Sequence, residues 1–66
     1  MKKNYVILPT FNDWKSLNKL LSIIDKTLKK SKVQLTTLII NDGSTDKPVL
    51  YTNKFKNIKK IFLINL

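Results

Sequence analysis

The sequence predicts an α/β fold in which three parallel strands alternate with two helices, in the order β-α-β-α-β. Short apolar runs rich in β-branched residues at 5–8, 35–40 and 58–65 are typical of strands buried in a parallel sheet. An amphipathic stretch separates the first two runs. This alternation implies a parallel sheet with right-handed crossovers. Such a chain is half of a doubly wound domain, so we expect its 66 residues to be an incomplete domain.

The first run is stopped by Pro9, and its continuous apolar character indicates a strand buried on both faces. A helix is then predicted from Trp14 to about Lys30, with Asn12 or Asp13 as its N-cap. Trp14 begins the apolar stripe, so we expect it to face the core. The stripe recurs at helical spacing: Trp14, Leu17, Leu21, Ile24 and Leu28.

The second helix is predicted after the polar turn at residues 41–46. Residues 44–46 offer N-caps, with Asp46 interpreted as a cap, and Pro48 fits a first helical turn. Residues 51–53 are poor helix formers, which makes this helix the weaker of the two. Gly43 is the only glycine, so the turn that most needs a permissive φ is expected there.

Composition narrows the chemistry available to the chain. It has no cysteine and no histidine, so disulfides and thiolate or imidazole metal sites are excluded, and four aspartates are the only acidic ligands. All 13 basic residues are lysine, and the formal net charge is +9. Because arginine is absent and the lysines are spread along the chain, we favour solvated lysines over a specific nucleic-acid surface.

Two polar clusters follow the first two predicted strands, at residues 9–13 and 41–44. Ligands of open parallel sheets bind beyond the carboxyl ends of the strands, so adjacent strands would bring the clusters together. They offer an aromatic face, two carboxylates, exposed backbone N–H groups and hydroxyls, a set that suits a nucleobase and a ribose. The candidate nucleotide-binding residues are Thr10, Phe11, Asp13, Asp42, Gly43 and Ser44.

Structural interpretations of the same residues stay open at this point. Asp42 and Ser44 also suit an ordinary turn after a strand. Asp13 is as well explained as a helix N-cap as by a ligand contact, and it can serve as both. Phe11 either packs structurally or stacks on a base.

The two clusters and their strands resemble the opening motifs of family-2 glycosyltransferases. Residues 6–13, VILPTFND, are similar to an apolar strand followed by P-T-[YF]-N-[ED], and residues 38–46, LIINDGSTD, are similar to an apolar strand followed by D-D-G-S-x-D. Residues 61–65, IFLIN, resemble the family's third strand. The resemblance covers essentially the whole chain.

This resemblance implies a GT-A, Rossmann-like domain that binds a nucleotide-diphosphate sugar, most often UDP- or GDP-linked, and transfers the sugar to an acceptor. Thr10, Phe11 and Asp13 would contact the nucleotide, Asp42 would accept from its base or ribose, and residues 43–44 would shape the loop. Asn41 departs from the family's usual aspartate.

The family's metal-binding D-x-D motif, catalytic base and acceptor site have no counterpart in these 66 residues. The full-length family is expected to use Mg²⁺ or Mn²⁺, for which this chain offers no ligand set. We therefore expect no catalytic residues here and no sugar transfer by this chain alone.

The alternative hypothesis is a lysine-rich, non-catalytic module that binds RNA or an anionic membrane. Self-association through an open sheet edge is a third hypothesis. The apolar run at residues 5–9 is too short for a signal peptide or a membrane span, so we expect a cytoplasmic chain, either free or peripheral at the membrane face.

Overall fold

The computed structural model describes residues 3–66 and shows one three-stranded parallel sheet with one α-helix. The strands are β1 (Lys3–Thr10), β2 (Gln34–Asn41) and β3 (Lys60–Asn65). They lie in the order β1-β2-β3, and both pairings are parallel. The predicted α/β class and parallel pairing are therefore confirmed.

The helix α1 (Trp14–Lys29) begins where the sequence predicts and ends one residue earlier. Asp13 is its N-cap, with its side chain accepting from the Ser16 N–H at 3.4 Å and its carbonyl accepting from the Leu17 N–H at 3.1 Å. Lys26 and Lys29 lie in the last turn, where positive charge complements the helix dipole.

The prediction of a second α-helix is wrong. The segment between β2 and β3 is irregular apart from one 3₁₀ turn, Thr52–Lys54. The Asn18 side chain binds the Val49 carbonyl and, at 3.1 Å, the Tyr51 N–H, so it holds these backbone groups away from helical partners. Pro48 adds to this because it has no N–H and disfavours helical geometry in the residue before it.

The interpretation of Asp46 as a helix cap is also wrong, because no α-helix follows it in residues 47–59. The residue is exposed, and its N–H donates to the side-chain oxygen of Asn12 at 2.9 Å.

The core lies on one face of the sheet, under α1 and the irregular segment. Leu21 of α1 and Ile39 of β2 are fully buried, and Phe55 and Ile58 of the irregular segment complete the contact. Trp14 is also buried, which confirms that it faces the core. Both connections between strands therefore pack on the same side of the sheet.

The other face of the sheet, here called the open face, is uncovered within residues 3–66. Tyr5, Ile7, Phe62 and Ile64 are all exposed there. The expectation that the first strand is buried on both faces is thus wrong, because the described residues supply only one layer against the sheet. The side chains of the open face come from alternate strand positions: Lys3, Tyr5, Ile7, Pro9, Gln34, Thr36, Leu38, Ile40, Lys60, Phe62 and Ile64.

Within the described range, α1 is too short and too polar to cross a bilayer, and no other helix meets that requirement either.

Candidate nucleotide-binding site

The two polar clusters meet at the carboxyl end of the sheet. Thr10, the last residue of β1, is the register partner of Asn41, the last residue of β2. The pairing continues one step further, since the Asp42 N–H donates to the Thr10 carbonyl at 3.0 Å. The first loop (residues 11–13) and the second loop (residues 42–46) are therefore neighbours, as the sequence predicts for adjacent parallel strands.

Asn12 ties the two loops together. Its backbone N–H donates to the Ser44 hydroxyl at 2.8 Å, and its side-chain oxygen accepts from the N–H groups of Thr45 and Asp46 at 2.8 and 2.9 Å. Its amide nitrogen donates to the Thr45 hydroxyl at 3.1 Å. With φ of 51°, Asn12 adopts the left-handed conformation, which asparagine tolerates better than most side chains.

These bonds correct one expectation about the second loop. The sequence predicts exposed backbone N–H groups there, but those of residues 44–46 are all occupied by Asn12 and Asn41. The second loop therefore does not present a row of free donors to a diphosphate.

Asn41 links the second loop to β3. Its amide nitrogen donates to the side-chain oxygen of Asn65 at 2.8 Å, while its amide oxygen accepts from the Ser44 N–H at 3.2 Å. Asn41 is buried, so both bonds are partly shielded from water. An aspartate in its ionised form could accept but not donate, so it could not make the bond that Asn41 donates to the Asn65 oxygen.

Gly43 and Ser44 shape the second loop. Gly43 has φ of +75°, a conformation that favours glycine, so the prediction of a permissive turn at this position is confirmed. Ser44 is half-buried and bonded on both its N–H and its hydroxyl oxygen. Its role in the structure is to hold the loop, which agrees with the structural interpretation of this residue.

The two candidate carboxylates differ in what they already bind. Asp13 is exposed and accepts from the first turn of α1, so its interpretation as an N-cap is confirmed. Asp42 is also exposed, and within residues 3–66 its carboxylate has no hydrogen-bond partner. Of the two candidate carboxylates, Asp42 is therefore the one without a hydrogen-bond partner among the described residues.

Phe11 does not pack into the core, because 62% of its surface is exposed. It borders a shallow cavity of about 360 Å³ between the end of β1 and the start of α1. Such a volume lies near the lower limit of small-molecule pockets, roughly 300–1,000 Å³. The cavity is lined by Leu8, Pro9, Thr10, Phe11, Asp13, Ser16, Leu17 and Leu20. Asp42, Gly43 and Ser44 are not among its lining residues, so the six candidates surround the sheet end without sharing this one cavity.

Sequence reasoning missed the three asparagines that organise the site: Asn12, Asn41 and Asn65. It treated Asn12 only as an alternative helix cap and Asn41 only as a replaced aspartate. Their positions in the sequence could have indicated a role, because Asn41 and Asn65 end apolar strands and Asn12 lies in the loop after one. Their pairings were not predictable, since they join positions 24 to 34 residues apart in the chain.

No group of three or more acidic side chains that could hold a metal ion comes together in residues 3–66.

Comparisons of this chain with protein-family models, curated proteins and solved structures found no match.

Proposed function

We propose that this chain is the nucleotide-binding portion of a family-2 glycosyltransferase domain with the GT-A, Rossmann-like fold. The observation that carries the proposal is the junction of the two motif loops, where the Asp42 N–H meets the Thr10 carbonyl at 3.0 Å. The motif resemblance supplies the ligand class, a UDP- or GDP-linked sugar. The loop geometry supports it by holding an aromatic ring and an unpartnered carboxylate at one end of the sheet.

In this proposal each group has a distinct task. Asp42 accepts from a base N–H or a ribose hydroxyl, and hydrogen bonds to a charged group contribute about 1.5–3 kcal/mol each. Phe11 offers its exposed ring to the base or the sugar. Asn12 and Ser44 do not touch the ligand but position the second loop through their mutual bonds.

Sugar transfer itself is assigned to the complete family domain. The 66 residues contain no D-x-D motif, and no group of three or more acidic side chains comes together in residues 3–66. We therefore expect this chain to bind a nucleotide weakly and not to turn it over.

The proposal is tested by titrating the ¹⁵N-labelled chain with UDP and with GDP and following amide chemical shifts. The expected result is a set of shifts concentrated in residues 10–13 and 42–44. Asp42→Asn should weaken the affinity roughly tenfold to a hundredfold, because it replaces a charged acceptor by a neutral one.

Asp46→Asn is the matched control. It removes the same charge from the same loop, and the Asp46 backbone bond to Asn12 does not depend on its carboxylate. Equal losses from both variants would show that the loop contributes only general electrostatics, and shifts spread over the lysines alone would contradict the site.

A further inference from the structure

A second candidate site lies on the open face, at the amino end of the strands and thus at the opposite end of the sheet from Asp42. A groove of about 270 Å³ opens there between side chains of all three strands. It is lined by Lys3, Tyr5, Gln34, Thr36, Lys59, Lys60 and Phe62.

The groove presents two aromatic rings from rigid strands. Tyr5 is 65% exposed and Phe62 is 47% exposed. In the strand register Tyr5 aligns with Thr36 and Lys60, and Phe62 lies two residues further along β3. The rings therefore flank β2 from the two outer strands and occupy successive rows of the same face. Exposed aromatic rings on a sheet are a stacking platform for unpaired bases.

The charge around these rings is positive and is not neutralised within the groove. Lys3, Lys59 and Lys60 line it without any acidic residue. Three of the chain's four aspartates lie in the loops at the other end of the sheet, and the fourth, Asp25, binds Asn57 on the helix side. A second copy of this chain on the groove would bring like charges together, so charge complementarity favours a polyanion as the occupant.

We propose that this groove binds single-stranded nucleic acid without sequence preference. Bases stack on Tyr5 and Phe62, and the three lysines contact the phosphates between them. Gln34 and Thr36 offer hydrogen bonds that any base can use. Lysine without arginine suits this mode, because contact with the phosphate backbone needs point charges and not the bidentate reading of base edges. The inference uses none of the residues of the proposed nucleotide-sugar site, and it applies to the described residues 3–66, in which the open face is uncovered.

The test is fluorescence anisotropy with a labelled oligodeoxyadenylate of about ten nucleotides, which has neither a ring N–H nor a 2′-hydroxyl for Asp42, and with a DNA duplex of similar length. The single strand should bind the more tightly of the two. Tyr5→Ala should weaken binding by about five- to 150-fold, the loss expected for one stacked base, whereas Tyr5→Phe should retain it. Lys60→Gln should lower the slope of log affinity against log salt by about 0.7.

The matched controls lie outside the groove. Tyr51→Ala removes an exposed tyrosine from the irregular segment, and Lys15→Gln removes an exposed lysine from the first turn of α1, at the opposite end of the sheet. Neither should reproduce the loss. Asp42→Asn should leave oligonucleotide binding unchanged, so failure of this proposal and failure of the nucleotide-sugar site are distinguishable. Circular dichroism of each variant verifies that it is folded.

Three outcomes would overturn the inference. One is duplex binding as tight as that of the single strand, which would mean that stacking contributes nothing. Another is an equal loss for Tyr5→Ala and Tyr51→Ala. The third is no binding to the oligonucleotide at low salt while phosphatidylserine vesicles are bound, which would assign the groove to an anionic membrane.

Discussion

At the scale of single residues, the asparagine side chains at the sheet end both donate and accept hydrogen bonds, which neither a charged nor an apolar side chain could do. One amide both donates and accepts, so Asn12 and Asn41 each satisfy partners of opposite type at the sheet end. The structure thereby explains why the site can hold its shape with few buried groups. By contrast, the exposed carboxylate of Asp42 takes part in no such hydrogen bond among the described residues.

Asn41→Asp is expected to lower the free energy of unfolding by about 1–3 kcal/mol at neutral pH, because it places a carboxylate at a buried position and the Asn65 amide must turn over to donate to it. Urea denaturation measures the change. Asn65→Asp is the control, since a carboxylate there still accepts from the Asn41 amide nitrogen and should cost little. A reversed order of the two variants would contradict the assigned direction of this hydrogen bond.

At the scale of elements, α1 was predictable because its apolar spacing and its cap agree with each other. Pro48 and the possible caps before it predicted a second helix, but that helix does not form. The reason is that the Asn18 side chain of α1 binds the backbone of the segment at Val49 and Tyr51. Local propensity in the segment is weak, so a few tertiary hydrogen bonds are enough to decide its conformation. The segment still delivers Phe55 to the core, as the predicted helix would have done. It also contributes Ile58, which the sequence predicts in the third strand but which lies before β3.

Leu21→Ala is expected to lower the free energy of unfolding by about 2–5 kcal/mol, because Leu21 is fully buried between α1 and the sheet. For a domain of this size such a loss is comparable to the whole stability, so the variant should be largely unfolded. Thermal denaturation followed by circular dichroism checks this. Leu20→Ala, at a neighbouring position that is 42% exposed, should shift the midpoint only slightly, and similar shifts for both would mean that α1 packs with another face.

At the scale of the whole molecule, two opposing features set its behaviour towards other molecules. The open face and the free outer edges of β1 and β3 favour association, since each of these strands pairs only with β2 in residues 3–66. The net charge of +9 opposes association between copies through mutual repulsion. Salt screens the repulsion without weakening apolar contact.

Self-association is therefore expected to increase with salt, while binding of nucleic acid decreases with it. Sedimentation velocity at low and high ionic strength measures the first effect as a rise in apparent mass. Phe62→Lys should suppress that rise, because it places a further charge on the open face, whereas Tyr51→Lys should not. A mass that stays monomeric at all salt concentrations would eliminate association through this face.

The sequence by itself determined the α/β class, the three strands, α1 and the glycine turn. These features depend on short-range periodicity and on the conformational freedom of single residues, which are properties of neighbouring positions in the chain. The tertiary structure alone decided that the second connection is not a helix, that Asn12 and Asn41 lock the loops, and that one face of the sheet is uncovered within residues 3–66. The first two outcomes depend on hydrogen bonds between residues 24 to 34 positions apart, and local sequence patterns do not show which partner a polar side chain will meet. The third depends on which segments pack against each face of the sheet, which is also a property of the tertiary structure.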